Sequence, residues 1–212
     1  MRYLFCIAIW LLGLSANCAS WAQDAISPLS EFSKEWNNPK YKVCNTGSKA
    51  SYLSDKEKEI IHILNLARQN PQLFCNTVVK NVLKIVPETD TGSKVYYKSL
   101  VDEMQHMKPL PLLAPDSLCA LSAKAHAQGL GSTGKTGHAR VTPQSKKVTR
   151  FAGECCYYGS SDAVAIILTL LIDEGVESLG HRKICFYSYA YCGTGIAPHS
   201  VYGYAAVLDF NY

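Results

Sequence analysis

Four short segments hold the side chains best able to do chemistry: Gly137-His138, Gly153-Glu154, Asp173-Glu174 and Gly180-His181-Arg182. Two imidazoles and two carboxylates converging in a cleft admit three chemistries. They can ligate a divalent metal, since histidine nitrogens and carboxylate oxygens suit zinc. They can do general acid–base work, each carboxylate orienting a histidine. They can also form a satisfied polar network that holds layers in register. Spacing alone does not separate the three. A carboxylate in the last turn of a helix opposes the macrodipole. Two acids directly before Gly175 therefore ask for a reason, and a solvated helix end is a sufficient one.

Nucleophilic catalysis finds less support. Ser160, Ser161, Cys155 and Cys156 lie close to Glu154 in sequence. No Gly-x-Ser-x-Gly elbow accompanies them, and no Cys-His protease signature is present. Vicinal cysteines in an exported chain read as oxidised rather than as thiolates. Tyr157, Tyr158, Tyr187, Tyr189 and Tyr191 make the same region aromatic. Tyrosines suit carbohydrate or lipid contacts, and they also finish ordinary cores.

The elements that must position these residues are legible from period and capping. Residues 23 to 53 read as an extended polar lead-in, tied down through Cys44. Ser54 with Glu57 three residues later forms a capping box, and Ile60, Leu64 and Ala67 recur at helical spacing. Asn70-Pro71 interrupts, and Phe74, Val78 and Val82 continue a second stripe to Ile85. A short helix is expected over 98–107 and another over 117–128, stopped by Gly129 and Gly131. A strand is expected over 148–156, then a buried helix capped by Ser160 or Ser161 with Asp162 and closed by Gly175. Thr194–Ala197 and Tyr204–Asp209 read as two strands joined through Pro198-His199-Ser200. Helices first, then strand, helix and hairpin, predict an α+β layered domain rather than a βαβ series.

Arg2, the apolar run Leu4 to Leu14 and the small residues after it predict a signal peptide over 1–22, cleaved near Ala22. The run is shorter than the roughly 20 apolar residues a bilayer span requires. No transmembrane helix is therefore expected after cleavage, and the product is secreted or periplasmic. Lipid anchoring at Cys18 is disfavoured because Asn17 is larger than the small residue such sites carry. Cys6 and Cys18 leave with the signal, so seven of the nine cysteines remain. These are Cys44, Cys75, Cys119, Cys155, Cys156, Cys185 and Cys192, expected to form structural disulfides. Cys185 and Cys192, flanking an aromatic loop, make the first pair; an odd count leaves one thiol free or pairing between chains. The formal charge of +4, or +3 without Arg2, comes from scattered bases and predicts no nucleic-acid partner.

With these residues in place, the chain over roughly 55–212 resembles the CAP superfamily. This is the cysteine-rich secretory, antigen 5 and pathogenesis-related group, whose module is also called the SCP domain. The opening IIHILNLARQNPQLF is similar to the first helix of bacterial members. AHAQGLGSTGKTGH, GECCYYG, LLIDEGVESLGHRK and YGYAAVLDF then follow in the family's order. The resemblance implies an α-β-α sandwich with a central antiparallel sheet over residues 54–212. It also implies a cleft lined by two histidines and two acids, which in some members holds a divalent metal such as zinc.

His138 matches the first cleft histidine, Glu154 the glutamate of the family's Gly-Glu-Asn motif, and His181 the histidine of the Gly-His segment. The second acid falls at Glu174 or Asp173, with Glu174 favoured, and His138 and His181 are the implied metal ligands. His126, on the helix before the loop, competes with His138 and reads as helix-face packing. The asparagine usual after Gly-Glu is Cys155 here, followed by Cys156, which implies a disulfide beside the cleft. Family members act mostly as extracellular binding or effector modules, with sterol, lipid or protein partners described for some and proteolysis for a few. The expectation is accordingly a non-enzymatic binding module. Its rival is a metal-assisted or acid–base hydrolase using His138, Glu154, Glu174 and His181.

Overall fold

The computed structural model describes residues 26–84 and 91–212. The signal segment over 1–22 lies outside the described residues. The lead-in is not an extended tail. It folds into two 3-10 turns, Lys34–Asn37 and Pro39–Cys44, capped by the side chains of Ser33 and Asn38. Trp36, Tyr41 and Cys44 are buried in the main core there, and the Trp36 indole N–H donates to Thr77 Oγ1 at 3.0 Å. A Trp and a Tyr in a polar stretch have enough apolar surface to pull it onto the domain.

Helix α1 (Asp55–Gln69) begins at the Ser54/Glu57 capping box, with both reciprocal bonds present. Asn70 caps α2 (Pro71–Phe74), a wider π turn over Cys75–Val79 follows, and α3 (Lys80–Leu83) completes that stretch. Helix α4 spans Thr91–His106, starting earlier than its apolar period indicates. Helix α5 (Ser117–Thr133) continues through Gly129 and Gly131, where a stop was expected. Both glycines are buried, and a Cβ on Gly131 would stand 2.1 Å from the Pro198 carbonyl oxygen. They serve close packing, and the left-handed C-cap is Gly134, at φ 65°.

After the short α6 (Pro143–Lys147) come β2 (Gly153–Gly159), α7 (Ala163–Ile172) and α8 (Gly180–Cys185). Strands β3 (Tyr191–His199) and β4 (Gly203–Asn211) finish the chain, joined at residues 200–202.

The fold is α+β with one four-stranded sheet in the order β1-β3-β4-β2. The sheet is mixed rather than purely antiparallel. β2, β4 and β3 pair antiparallel, but β1 (Ala114–Pro115) runs parallel to β3. Ala114 and Asp116 donate to the carbonyls of Ala190 and Cys192, and Pro115 has no N–H to give. Helices pack on the sheet through alternate residues of β3. Gly193 and Gly195 abut the α5 backbone, whereas Thr194 Oγ1 donates to the Glu57 carbonyl of α1 at 3.0 Å.

The disulfide expectation does not hold, because all seven cysteines among the described residues are free and buried. Cys155 and Cys156 face opposite sides of β2, Cys155 in the main core and Cys156 in a smaller cluster against α5. Their sulfurs meet carbonyls: Cys155 that of His181 at 3.7 Å, Cys156 that of Gly137 at 3.8 Å. Cys192 reaches the Gly193 carbonyl at 3.8 Å rather than Cys185. In these places cysteine behaves as a small apolar residue with a weak donor.

Candidate functional site

The four nominated segments meet at one end of β2. Glu154 pairs in register with Asp209 of β4. His138, in the loop after α5, donates from Nδ1 to Glu154 Oε1 at 2.9 Å. Arg140 Nη2 stands 2.6 Å from the other carboxylate oxygen. His181, in the first turn of α8, donates from Nδ1 to Asp173 Oδ1 at 2.7 Å. The two imidazole rings face each other with centroids 6.2 Å apart and planes 32° apart. Each histidine thus has Nδ1 tied to its own carboxylate. That fixes the tautomer and leaves Nε2 available for a ligand.

The second acid against His181 is Asp173, not Glu174. Glu174 is exposed at the rim, where the Ser93 hydroxyl donates to it. Asp173 sits at the C-cap of α7 with φ 56°, a left-handed conformation that aspartate tolerates. Its Oδ2 accepts from the backbone N–H of His181 at 2.8 Å and of Arg182 at 3.4 Å. The carboxylate that opposes the dipole of α7 therefore serves the N-terminus of α8, whose own N-cap, Leu179, supplies no side-chain bond. The reason for an acid at that helix end is the next helix.

The electrostatics of the Glu154 side are collective. Burial alone would raise the Glu154 pKa. The hydrogen bonds from His138 and Asp209 and the Arg140 charge outweigh it and hold the carboxyl below its ordinary value. The hydrogen bond to Glu154 in turn raises His138. Burial lowers the pKa of His126, which is fully buried on α5. Asp209 is pushed up to about 9, first by burial and then by the negative charge of Glu154.

A group raised in the folded state adds stability at low pH, and that stability is lost as pH rises toward the folded value. Asp209 therefore costs the fold stability between its unfolded pKa, about 3.9, and about 9. In chelator, the stability gap between the Asp209→Asn variant and the parent should widen by about 1 kcal/mol in the variant's favour from pH 7 to pH 8. Glu154, Ser122 and Arg140, and Cys119, Cys156 and Cys192 from the neighbouring elements, face this carboxyl, and the difference reads Asp209 together with its partner Glu154. Urea titrations at the two pH values read it, and parallel pH profiles would refute it.

Beside His181 lies a cavity of about 210 Å³ lined by Cys156, Tyr157, Tyr158, Leu170, Asp173 and Val176, among others. A larger open depression of about 490 Å³ lies by His62 and is lined by none of the nominated site residues. Burial raises the Cys156 thiol well above its ordinary value, which keeps it from acting as a ready nucleophile. Arg140, Asp209 and the involvement of His126 escaped the sequence reading. The one signal for Asp209 was a charged residue inside the apolar run Ala205–Phe210.

No protein-family model matches the chain, and no curated protein matches it. Among solved structures it is similar to an extracellular protein containing a SCP domain from Bacillus anthracis str. Ames, with a TM-score of 0.37 and 22% identity. That alignment covers 57% of this chain and 41% of the other, so the chain spans less than half of that protein's length.

Proposed function

We propose that this chain is a CAP-type domain acting outside the cytoplasm as a binding module. Its fold would be the three-layer α-β-α arrangement, which the packing of α5 and α1 on opposite faces of β3 supports. No helix among the described residues is long and apolar enough to cross a membrane. The observation that carries the reading is the pair of histidine–carboxylate couples, His138–Glu154 and His181–Asp173, facing each other across 6.2 Å. The adjoining cavity has apolar and aromatic walls, Tyr157, Leu170 and Val176, and a polar end at His181 and Asp173. That combination suits an amphipathic ligand of the lipid or sterol class, its polar group against the imidazoles and its apolar part along the tyrosines.

The experiment is a binding panel of fluorescent fatty acids and sterols run beside a peptide and ester hydrolysis panel. Saturable binding is expected, weakened at least about tenfold in His181→Ala by loss of the polar anchor, roughly 1.4 kcal/mol. Hydrolysis that disappears in Glu154→Ala would replace this reading with the hydrolase. Binding that is indifferent to both His138→Ala and His181→Ala would move the ligand site elsewhere.

A further inference from the structure

Beneath the two outer couples, three donor groups meet from two elements. His126 comes from α5, and Glu154 and Cys156 come from alternate positions of β2. One ligand atom from each lies within 4.8 Å of the others, and all three residues are buried. We propose that His126, Glu154 and Cys156 together bind one divalent transition-metal ion of the zinc class, with the Cys156 sulfur as a ligand. The site uses neither His181 nor Asp173, but it shares Glu154 with the cleft described above.

The first support is geometric. Zinc binds nitrogen and oxygen at about 2.0 Å and thiolate sulfur at about 2.3 Å, so tetrahedral ligand atoms stand roughly 3.3–3.6 Å apart. His126 Nε2 already stands 3.9 Å from Glu154 Oε1. The Glu154 carboxylate is divided in a way that spares its other partner, because Oε2 faces Arg140 at 2.6 Å while Oε1 faces the histidines. A cation on the Oε1 side leaves the arginine contact in place. His126 Nε2 and Cys156 Sγ now point to a common acceptor, the Gly137 carbonyl, at 3.0 and 3.8 Å. Two donors aimed at one point is the arrangement that a metal takes over once both atoms have lost their protons. Binding would require the Gly137 carbonyl to turn aside, in a loop at φ 91° whose N–H donates to the Tyr158 hydroxyl at 2.7 Å.

The second support is the chemistry of the ligand set, read by hard and soft preference. A thiolate with an imidazole selects zinc or cobalt over magnesium or calcium, and a bound divalent ion deprotonates the thiol outright. His138, with 58% of its side chain exposed, stands 3.7 Å from Cys156 Sγ on the outer side. That side is the entry path and the open fourth position.

The test is a cobalt titration of the whole chain, stripped of metal by chelator and kept reduced. One cobalt ion per chain should bind and give a thiolate-to-cobalt charge-transfer absorption in the near ultraviolet, and zinc should abolish it by displacement. Cys156→Ser should remove that absorption, and His126→Gln should weaken zinc binding by at least about 100-fold. His181→Ala should leave both unchanged. Failure of the wild-type chain to show the absorption overturns the proposal without recourse to any variant. Absorption that persists in Cys156→Ser assigns the thiolate elsewhere and overturns it too. Cobalt binding that is lost in His181→Ala but kept in His126→Gln would place the ion in the outer cleft instead.

Discussion

Arg182→Ala should lower the stability of the chain by about 3–5 kcal/mol, the range for a buried charged hub whose partners are left unpaired. Arg182 is 1% exposed. Its Nε donates to the Leu171 carbonyl at 2.6 Å, and Nη2 donates to the carbonyls of Ile172 at 2.9 Å and Tyr96 at 3.1 Å. Nη1 reaches Ser99 Oγ at 2.9 Å and Glu103 Oε2 at 3.3 Å. The first two carbonyls belong to the last turn of α7, where a helix runs out of intrahelical donors. One planar fork therefore caps α7, ties it to α4, and holds α8 by its own backbone. The ion pair with Glu103 is a minor part, since that carboxylate side chain is 42% exposed and screened. Glu103→Gln should cost under about 1 kcal/mol by the same reasoning. Arg182→Lys should fall between the two, because a single ammonium cannot reproduce the fork. Urea unfolding midpoints of the three variants give the order. A loss below about 1.5 kcal/mol in Arg182→Ala would show that water satisfies those carbonyls once the side chain is gone.

Arg182 also marks where reading the sequence stopped short. It lay inside the segment nominated for chemistry, Gly180-His181-Arg182, and only the coordinates separate the cleft histidine from the structural arginine beside it. What was legible came from local rules: the Ser54/Glu57 box, the Asp162 cap, the apolar period of α7 and the two terminal strands. What was not legible came from long-range pairing. β1 is two residues in a proline-rich stretch, with no period to detect, and its parallel partner lies far along the chain. Gly129 and Gly131 look like helix stops until Pro198 is seen pressed against the helix.

The choice between Asp173 and Glu174 turned on a left-handed cap and on a helix that begins seven residues after Asp173. A rule counting only the helix they end on gives neither acid a purpose. Seven cysteines in an exported chain argue for bridges by composition. Cys155 and Cys156 on opposite faces of one strand, and the sulfurs of Cys155, Cys156 and Cys192 against carbonyls, argue for packing.

The same logic makes Gly193 the most sensitive position in the sheet. Gly193→Ala should destabilise the chain by about 3 kcal/mol or more, at the severe end of overpacking costs. A Cβ there would lie 2.0 Å from the Ala120 nitrogen and 2.3 Å from the Cys119 carbonyl carbon, both α5 backbone. A side chain could rotate away from such a contact, but a helix backbone has to translate, and α5 is seated along both β3 and β4. Moving it carries His126 away from Glu154 and Cys156, so the buried donor cluster should loosen with the core. Truncating the neighbour cannot relieve the clash, because the atoms struck are backbone; Gly193→Ala combined with Ala120→Gly should be no more stable than Gly193→Ala alone.

Gly137→Ala supplies the contrast. It meets nothing within 4 Å but sits at φ 91°, so its cost is conformational and should be about 1–2 kcal/mol. Thermal and urea unfolding of the three variants distinguish a steric requirement from a torsional one. A Gly193→Ala protein within about 1 kcal/mol of the parent would mean that α5 and β3 stand further apart than a glycine-only contact requires.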